Sequence, residues 1–166
     1  MREYDTMRYL TLSELIYING TLLNRPDIAS GKQKIRDLEL LEAAAARPES
    51  SVFGADAYPT LRLKVAALMH SLMRNHPFAD GNKRTATVAA ILMFRVNGAR
   101  VVWHQPDALP VIVDAAEGRI TLETLAAWFP TVPAPESHAP DAEADMRLIA
   151  AIIAEQRWLL DELDKR

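Results

Sequence analysis

Residues 76 to 86 read His-Pro-Phe-Ala-Asp-Gly-Asn-Lys-Arg-Thr-Ala and run directly into a strongly apolar stretch of helical character. They bring together a candidate base, a hard-cation ligand, a glycine turn, an amide and two cations. A helix that begins here presents unpaired N–H groups and a partial positive charge, and a glycine lets the backbone approach an anion closely. Gly81, Asn82, Lys83 and Arg84 are therefore expected to form an anion nest, in which Arg84 offers a planar fork suited to phosphate oxygens. Asp80 is placed to hold Mg²⁺, a cation that prefers a carboxylate plus substrate phosphates to an all-protein cage. His76 is the side-chain type that takes a proton from a hydroxyl near neutral pH. Together these residues are equipment for handling a phosphate.

Taken singly, each has a plainer explanation. A histidine after a helix caps or packs, Asp80 could be an N-cap, and Lys83 and Arg84 could be a solvated first turn. Cations at that end of a helix oppose its dipole, however, and so call for an anion. Several helpers of phosphate binding in register outweigh the separate readings.

The elements that must position this stretch are helical. Thr11-Leu12-Ser13-Glu14 is a capping box, so a first helix is expected over 12–23, ended by Asn24-Arg25-Pro26-Asp27 and a loop over 28–34. A second helix is predicted over 35–46, halted before Pro48. Residues 49–59 are the least helical and suit a short extended flap. A stripe of Leu61, Val65, Leu68, Met69 and Leu72 predicts a helix over 60–75 with one face on a core. From Lys83 to Val96 apolar residues cover all sides, the pattern of a helix buried in the middle of a bundle, and Asn97-Gly98 supplies its stop. Beyond lie an extended piece at 101–103 and short helices over 108–117 and 122–128. Prolines 130, 133, 135 and 140 mark a stiff linker over 130–140. One amphipathic helix is predicted over 141–166, with Met146, Ile149, Ile153, Leu160 and Leu163 at a and d spacing.

Composition bounds the function. The 166 residues are 49% hydrophobic and 25% charged, enough for one domain with a real core. A net charge of −3 gives no nucleic-acid footprint, so any catalytic positive charge must be local. The absence of cysteine excludes disulfides and thiolate chemistry, which points to a cytoplasmic protein. The longest fully apolar run, 88–94, is too short to span a bilayer, so no membrane partner is expected. A metal hydrolase is disfavoured, because His70 and His76 are six apart and do not share a helix face.

The run from His76 to Arg84 closely resembles the signature of the Fic/Doc family, His-x-Phe-x-Asp/Glu-Gly-Asn-Gly-Arg-x-x-Arg. Tyr58-Pro59-Thr60, Ala116-Glu117-Gly118 and Leu125-Ala126-Ala127-Trp128 look like the Doc (death-on-curing) branch, and the likeness covers residues 8 to 129. It implies an all-α Fic-fold helical bundle with a central buried helix and a small β-hairpin flap, here a domain over 1–129. It also implies transfer of part of ATP, with Mg²⁺, onto a protein hydroxyl. Carried over by position, His76 would be the general base and Asp80 the Mg²⁺ ligand. Gly81, Asn82, Lys83 and Arg84 would cradle the phosphates, with Lys83 and Arg84 stabilising the transferred group. Ser51, Val52, Phe53 and Gly54 would form the flap that holds the target segment by strand addition.

Two departures bear on which group moves. Adenylylating members have Gly where this chain has Lys83 and a second Arg where it has Thr87, whereas Doc-like members share the Lys and lack that Arg. Transfer of the γ-phosphate is therefore expected, by resemblance to elongation factor Tu as target, with inhibition of translation. Adenylylation is the alternative, kept open by Gly81, where the Doc pattern has Ala; a non-catalytic phosphate- or peptide-binding module is a further one. Doc-type toxins are held inactive by a separate antitoxin, and such a partner is expected here. Val113 to Gly118 approaches the inhibitory-helix pattern of other members but has valine at the hydroxyl position, and reads as ordinary core helix. The C-terminal helix is expected to fold back over the bundle, burying Ile149, Ile153 and Trp158, with homo-oligomerisation through its a/d seam as the alternative.

Overall fold

The computed structural model describes residues 7–23, 35–135 and 141–166. The expected chain break at 24–27, the loop over 28–34 and the last part of the linker lie outside the described residues. The first helix, α1 (Leu12–Leu22), opens with the anticipated capping box: the Thr11 hydroxyl accepts from Glu14 N–H and the Glu14 side chain accepts from the Thr11 amide. Helix α2 (Leu38–Ala46) starts three residues later than the apolar pattern suggests. Asp37 is its N-cap, with its carboxylate on Leu40 N–H, and Ile35 instead makes an antiparallel bridge to Phe78.

A single turn of tighter helix, Arg47–Glu49, leads from α2 into a hairpin, β1 (Ser51–Val52) and β2 (Ala55–Asp56). Its two turn residues, Phe53 and Gly54, both have positive φ, 52° and 81°, as a two-residue hairpin of this hand requires. Helix α3 (Leu61–Asn75) is capped by the Thr60 hydroxyl on Leu63 N–H. Helix α4 (Asn82–Val96) is the centre of the molecule, with Ala86, Val88, Ala89, Ala90, Leu92 and Met93 fully buried. Burial of each large apolar side chain there contributes about 1.5–3 kcal/mol, so the apolar run fixes where the helix lies.

Strand β3 (Ala99–Val101) pairs antiparallel with β4 (Thr131–Pro133), so the start of the proline-rich linker is a strand on the body of the protein. Between them come α5 (Gln105–Ala116), three residues longer at its start than expected, and α6 (Leu122–Trp128). The single C-terminal helix of the sequence reading is two, α7 (Ala142–Glu155) and α8 (Arg157–Asp164). At the break the Gln105 side chain takes over one helical hydrogen bond: its Nε2 donates to Glu155 O at 2.7 Å and its Oε1 accepts from Leu159 N–H at 2.9 Å. Those two backbone groups would have bonded each other in a continuous helix, so the insertion is the cause of the bend.

Both helices lie on the bundle. Ile149, Ile152, Ile153, Leu159, Leu160 and Leu163 are buried, so most of the heptad seam is spent within the chain. Met146 and Trp158 remain 46% exposed, which corrects the expectation that Trp158 is buried. Helix α7 is further tied to the N-terminal segment by Arg8, whose guanidinium donates to both carboxylate oxygens of Asp145 and to Glu14. Among the described residues no helix is long and apolar enough to cross a membrane.

Candidate functional site

The turn between α3 and α4 carries the chemistry-bearing run, and its two ends are held differently. Pro77 cannot continue α3 and forces the residue before it out of the right-handed helical region. His76 takes the left-handed conformation, φ 49° and ψ 57°, and its side chain is exposed. Phe78 is fully buried and so plugs the loop into the core, and its amide and carbonyl are both bonded by the Asn82 side chain at 3.0 Å. That clamp occupies the Asn82 amide, so what Asn82 can offer an anion is its backbone N–H at the helix start.

Helix α4 begins behind Gly81, whose φ of 76° is left-handed. A Cβ at this position would come within 3.2 Å of Asn19 Nδ2, so glycine answers both the conformation and the close approach. Asp80 is not the N-cap: its Oδ1 accepts from Gly81 N–H at 2.8 Å, and no side chain caps the helix. The first-turn amides are thus left for a ligand.

Helix α1 supports this junction from below through Asn19, which is completely buried. Its Nδ2 donates to Asp80 O at 2.9 Å and to Thr85 Oγ1 at 3.0 Å. The role was not legible in the chain, because a lone asparagine within a helical stripe carries no local signal. Thr87, one turn further along α4, is fully buried and donates to Lys83 O at 2.8 Å.

A small cleft of about 60 Å³ gathers Asp80, Gly81, Asn82, Lys83 and Arg84 against Leu163, Asp164 and Arg166. Arg84 is mostly buried there, with Nη2 2.9 Å from Asp164 and 3.7 Å from Asp80. Among the described residues Lys83 has no ion-pair partner. Sequence reasoning missed Asp164, which sits eighty residues away and reaches Arg84 only because α8 folds over the start of α4. Neither His76 nor the hairpin lines this cleft, so the structure assembles the phosphate-binding candidates around it and sets the candidate base at the other end of the turn.

Asp80 is exposed and shares Arg84 with Asp164, and no cluster of three or more His, Asp or Glu occurs among the described residues. One such oxygen donor beside an anion nest fits Mg²⁺ that completes its shell with phosphate oxygens and water. The other histidine of α3, His70, faces elsewhere. Burial and the neighbouring Arg47 and Arg74 guanidinium groups push its pKa down, with Glu123 opposing, and Arg47 Nη1 lies 3.2 Å from its Nδ1.

The hairpin candidates Ser51, Val52, Phe53 and Gly54 are all exposed, Phe53 completely so. The hairpin is rooted by Lys64, a fully buried lysine of α3 whose Nζ donates to Pro48 O at 3.0 Å and pairs with Asp56 at 3.4 Å. The segment resembling an inhibitory helix ends α5: Glu117 is its C-cap and is paired with Arg119.

Comparison with known proteins identifies the family. The model of the Fic/DOC family matches residues 9–94. Over 71 residues the chain is 54% identical to a protein named Toxin Doc from Mycolicibacterium smegmatis (strain ATCC 700084 / mc(2)155), a match covering 43% of this chain and 55% of that protein. Over 120 residues it is 29% identical to Protein kinase doc of Escherichia phage P1, covering 72% of this chain and 91% of the phage protein. The chain thus spans about half the length of the first of these relatives and nearly all of the second. With the motif turn, the glycine-started central helix and the hairpin all in place, the chain belongs to the Fic/DOC family.

Proposed function

We propose that this chain is a Doc-like toxin that transfers the γ-phosphate of ATP to a Ser or Thr hydroxyl of a target protein and is held in check by a separate antitoxin. The observation that carries the reading is the composition of the nest: Lys83 stands at its mouth, and on the next turn Thr87 is buried and bonded back to Lys83 O. Thr87 thus supplies no second arginine from that turn of α4 to grip the far end of the triphosphate; the other arginine at the cleft, Arg166, comes from the C-terminal end. The name of the phage relative, Protein kinase doc, supports the same choice.

In the proposed reaction His76 accepts the hydroxyl proton, the hydroxyl oxygen bonds to the γ-phosphorus, and the bond from that phosphorus to the bridging oxygen breaks to release ADP. Lys83, Arg84 and the first amides of α4 stabilise charge on the transferred group. Mg²⁺ held by Asp80 would neutralise phosphate charge. The exposed hairpin would align the target segment by adding it as a strand. By resemblance the target is elongation factor Tu, and blocked translation is the outcome.

Adenylyl transfer remains the second reading because Gly81 matches the adenylylating pattern. Labelled ATP decides between them. In a lysate with wild type and His76→Ala, movement of a γ-label that depends on His76 supports the kinase, and movement of an α-label overturns it. If neither label moves, yet the nest binds ATP or a phosphopeptide equally in both proteins, the chain is a binding module. Expression without a partner is expected to arrest growth; harmless expression of protein active in that assay would remove the antitoxin from the reading.

A further inference from the structure

We propose that Arg36, just ahead of α2, is a positioning residue for His76: it straps the turn that carries the base and holds it in a conformation it would otherwise leave. This rests on the reading of His76 as the base. Three consecutive carbonyls, those of Asn75, His76 and Pro77, accept hydrogen bonds from this segment. Arg36 Nη2 donates to Asn75 O at 2.7 Å and Nε donates to His76 O at 2.5 Å. The backbone amides of Arg36 and Asp37 both donate to Pro77 O, at 2.8 and 3.0 Å, and the strap continues as the bridge from Ile35 to Phe78.

The chemistry of the contact is specific to arginine. Nε–H and Nη2–H lie on one edge of a rigid plane and point the same way, so a single guanidinium spans two successive carbonyls that no ammonium could hold in one geometry. Its charge also suits the negative end of α3. The need for a strap is set by His76 itself. A non-glycine residue in the left-handed region is strained and persists only when its surroundings over-determine it. Asn82 fixes the turn two residues further on, at Phe78, and leaves the His76 peptide to Arg36. Helix α2 then joins this strap to the base of the hairpin through Arg47–Glu49, so one short rigid element references both the base and the target-binding flap.

Because Arg36 is exposed, its removal tests position without emptying the core. The variants Arg36→Ala and Arg36→Lys are compared with wild type in the full chain. Four quantities are read: label transfer from ATP in lysate, ATP affinity by calorimetry, Tm, and the amide–Hα coupling of His76, which reports its φ. For Arg36→Ala the expected result is transfer slowed on the order of 10- to 100-fold, ATP affinity and Tm nearly unchanged, and an altered His76 coupling. Arg36→Lys should recover part of the rate. Unchanged transfer overturns the proposal, and so does a loss matched by an equal loss of ATP affinity or by unfolding. Should wild type itself move no label, the reading of His76 as base fails. The coupling then decides the strap alone: an unchanged value in Arg36→Ala overturns it and a changed value supports it.

Discussion

The two ends of the motif turn are held by opposite means. At His76 the chain is fixed through carbonyls and amides, by Arg36 from one side and Asn82 from the other, and the imidazole itself is left exposed. At the start of α4 the backbone amides are left open, and the functional side chain is instead restrained by exchangeable charge, Arg84 between Asp80 and Asp164. In the proposed reaction a base must be in place before its substrate arrives, whereas a phosphate ligand must be able to displace whatever holds Arg84 beforehand. The contrast therefore separates a preorganised end from an exchangeable end.

Substitutions can break this contrast, and the largest effect is expected at the fixed end. His76→Ala should reduce label transfer about 10²- to 10⁴-fold while ATP affinity measured by calorimetry stays near wild type. A parallel loss of affinity would mean that His76 belongs to the phosphate site instead. At the exchangeable end, Arg84→Ala should weaken ATP binding by roughly 10- to 100-fold, the worth of a charge-assisted hydrogen bond.

Gly81→Ala tests the backbone between the two. Left-handed φ and the approach to Asn19 should lower unfolding free energy by about 1–2 kcal/mol in a denaturant titration, and a neutral result would show that the junction can relax. The smallest effect sharpens the comparison most. Asp164→Ala removes an exposed acid that competes for Arg84, so ATP should bind about two- to fivefold more tightly, in line with the modest worth of exposed ion pairs. Weaker binding would assign Asp164 to holding Arg84 in place and would make both ends preorganised.

What was legible in the chain follows the same local-to-distant gradient. The central helix and the capping box at Thr11 are written in neighbouring residues and stand where the pattern places them, and the hairpin around Phe53-Gly54 stands where the family resemblance puts it. The start of α2 falls later than predicted because Ile35, apolar like the leucines that follow, is spent on the bridge to Phe78, and the Asp37 cap marks the true start. The candidate base and nest came from contiguous residues, but the residues that brace them did not. Asn19, Arg36 and Asp164 lie on other elements, and nothing in their immediate sequence distinguishes them from ordinary surface or helix positions. The bend at Gln156 was hidden for the same reason, since no proline or glycine marks it and its cause is a side chain about fifty residues away.

That bend gives the C-terminal end of the protein a fulcrum. From Gln156 to Asp164 the helix runs about 12 Å, so a rotation of about 10° at the pivot carries the tip about 2 Å, enough to make or release the grip on Arg84. Because Gln105 satisfies both backbone groups at the pivot, the arm is bent without an orphaned hydrogen bond to penalise its angle. A side chain of α5 thereby sets the angle at which α8 brings Asp164 to Arg84.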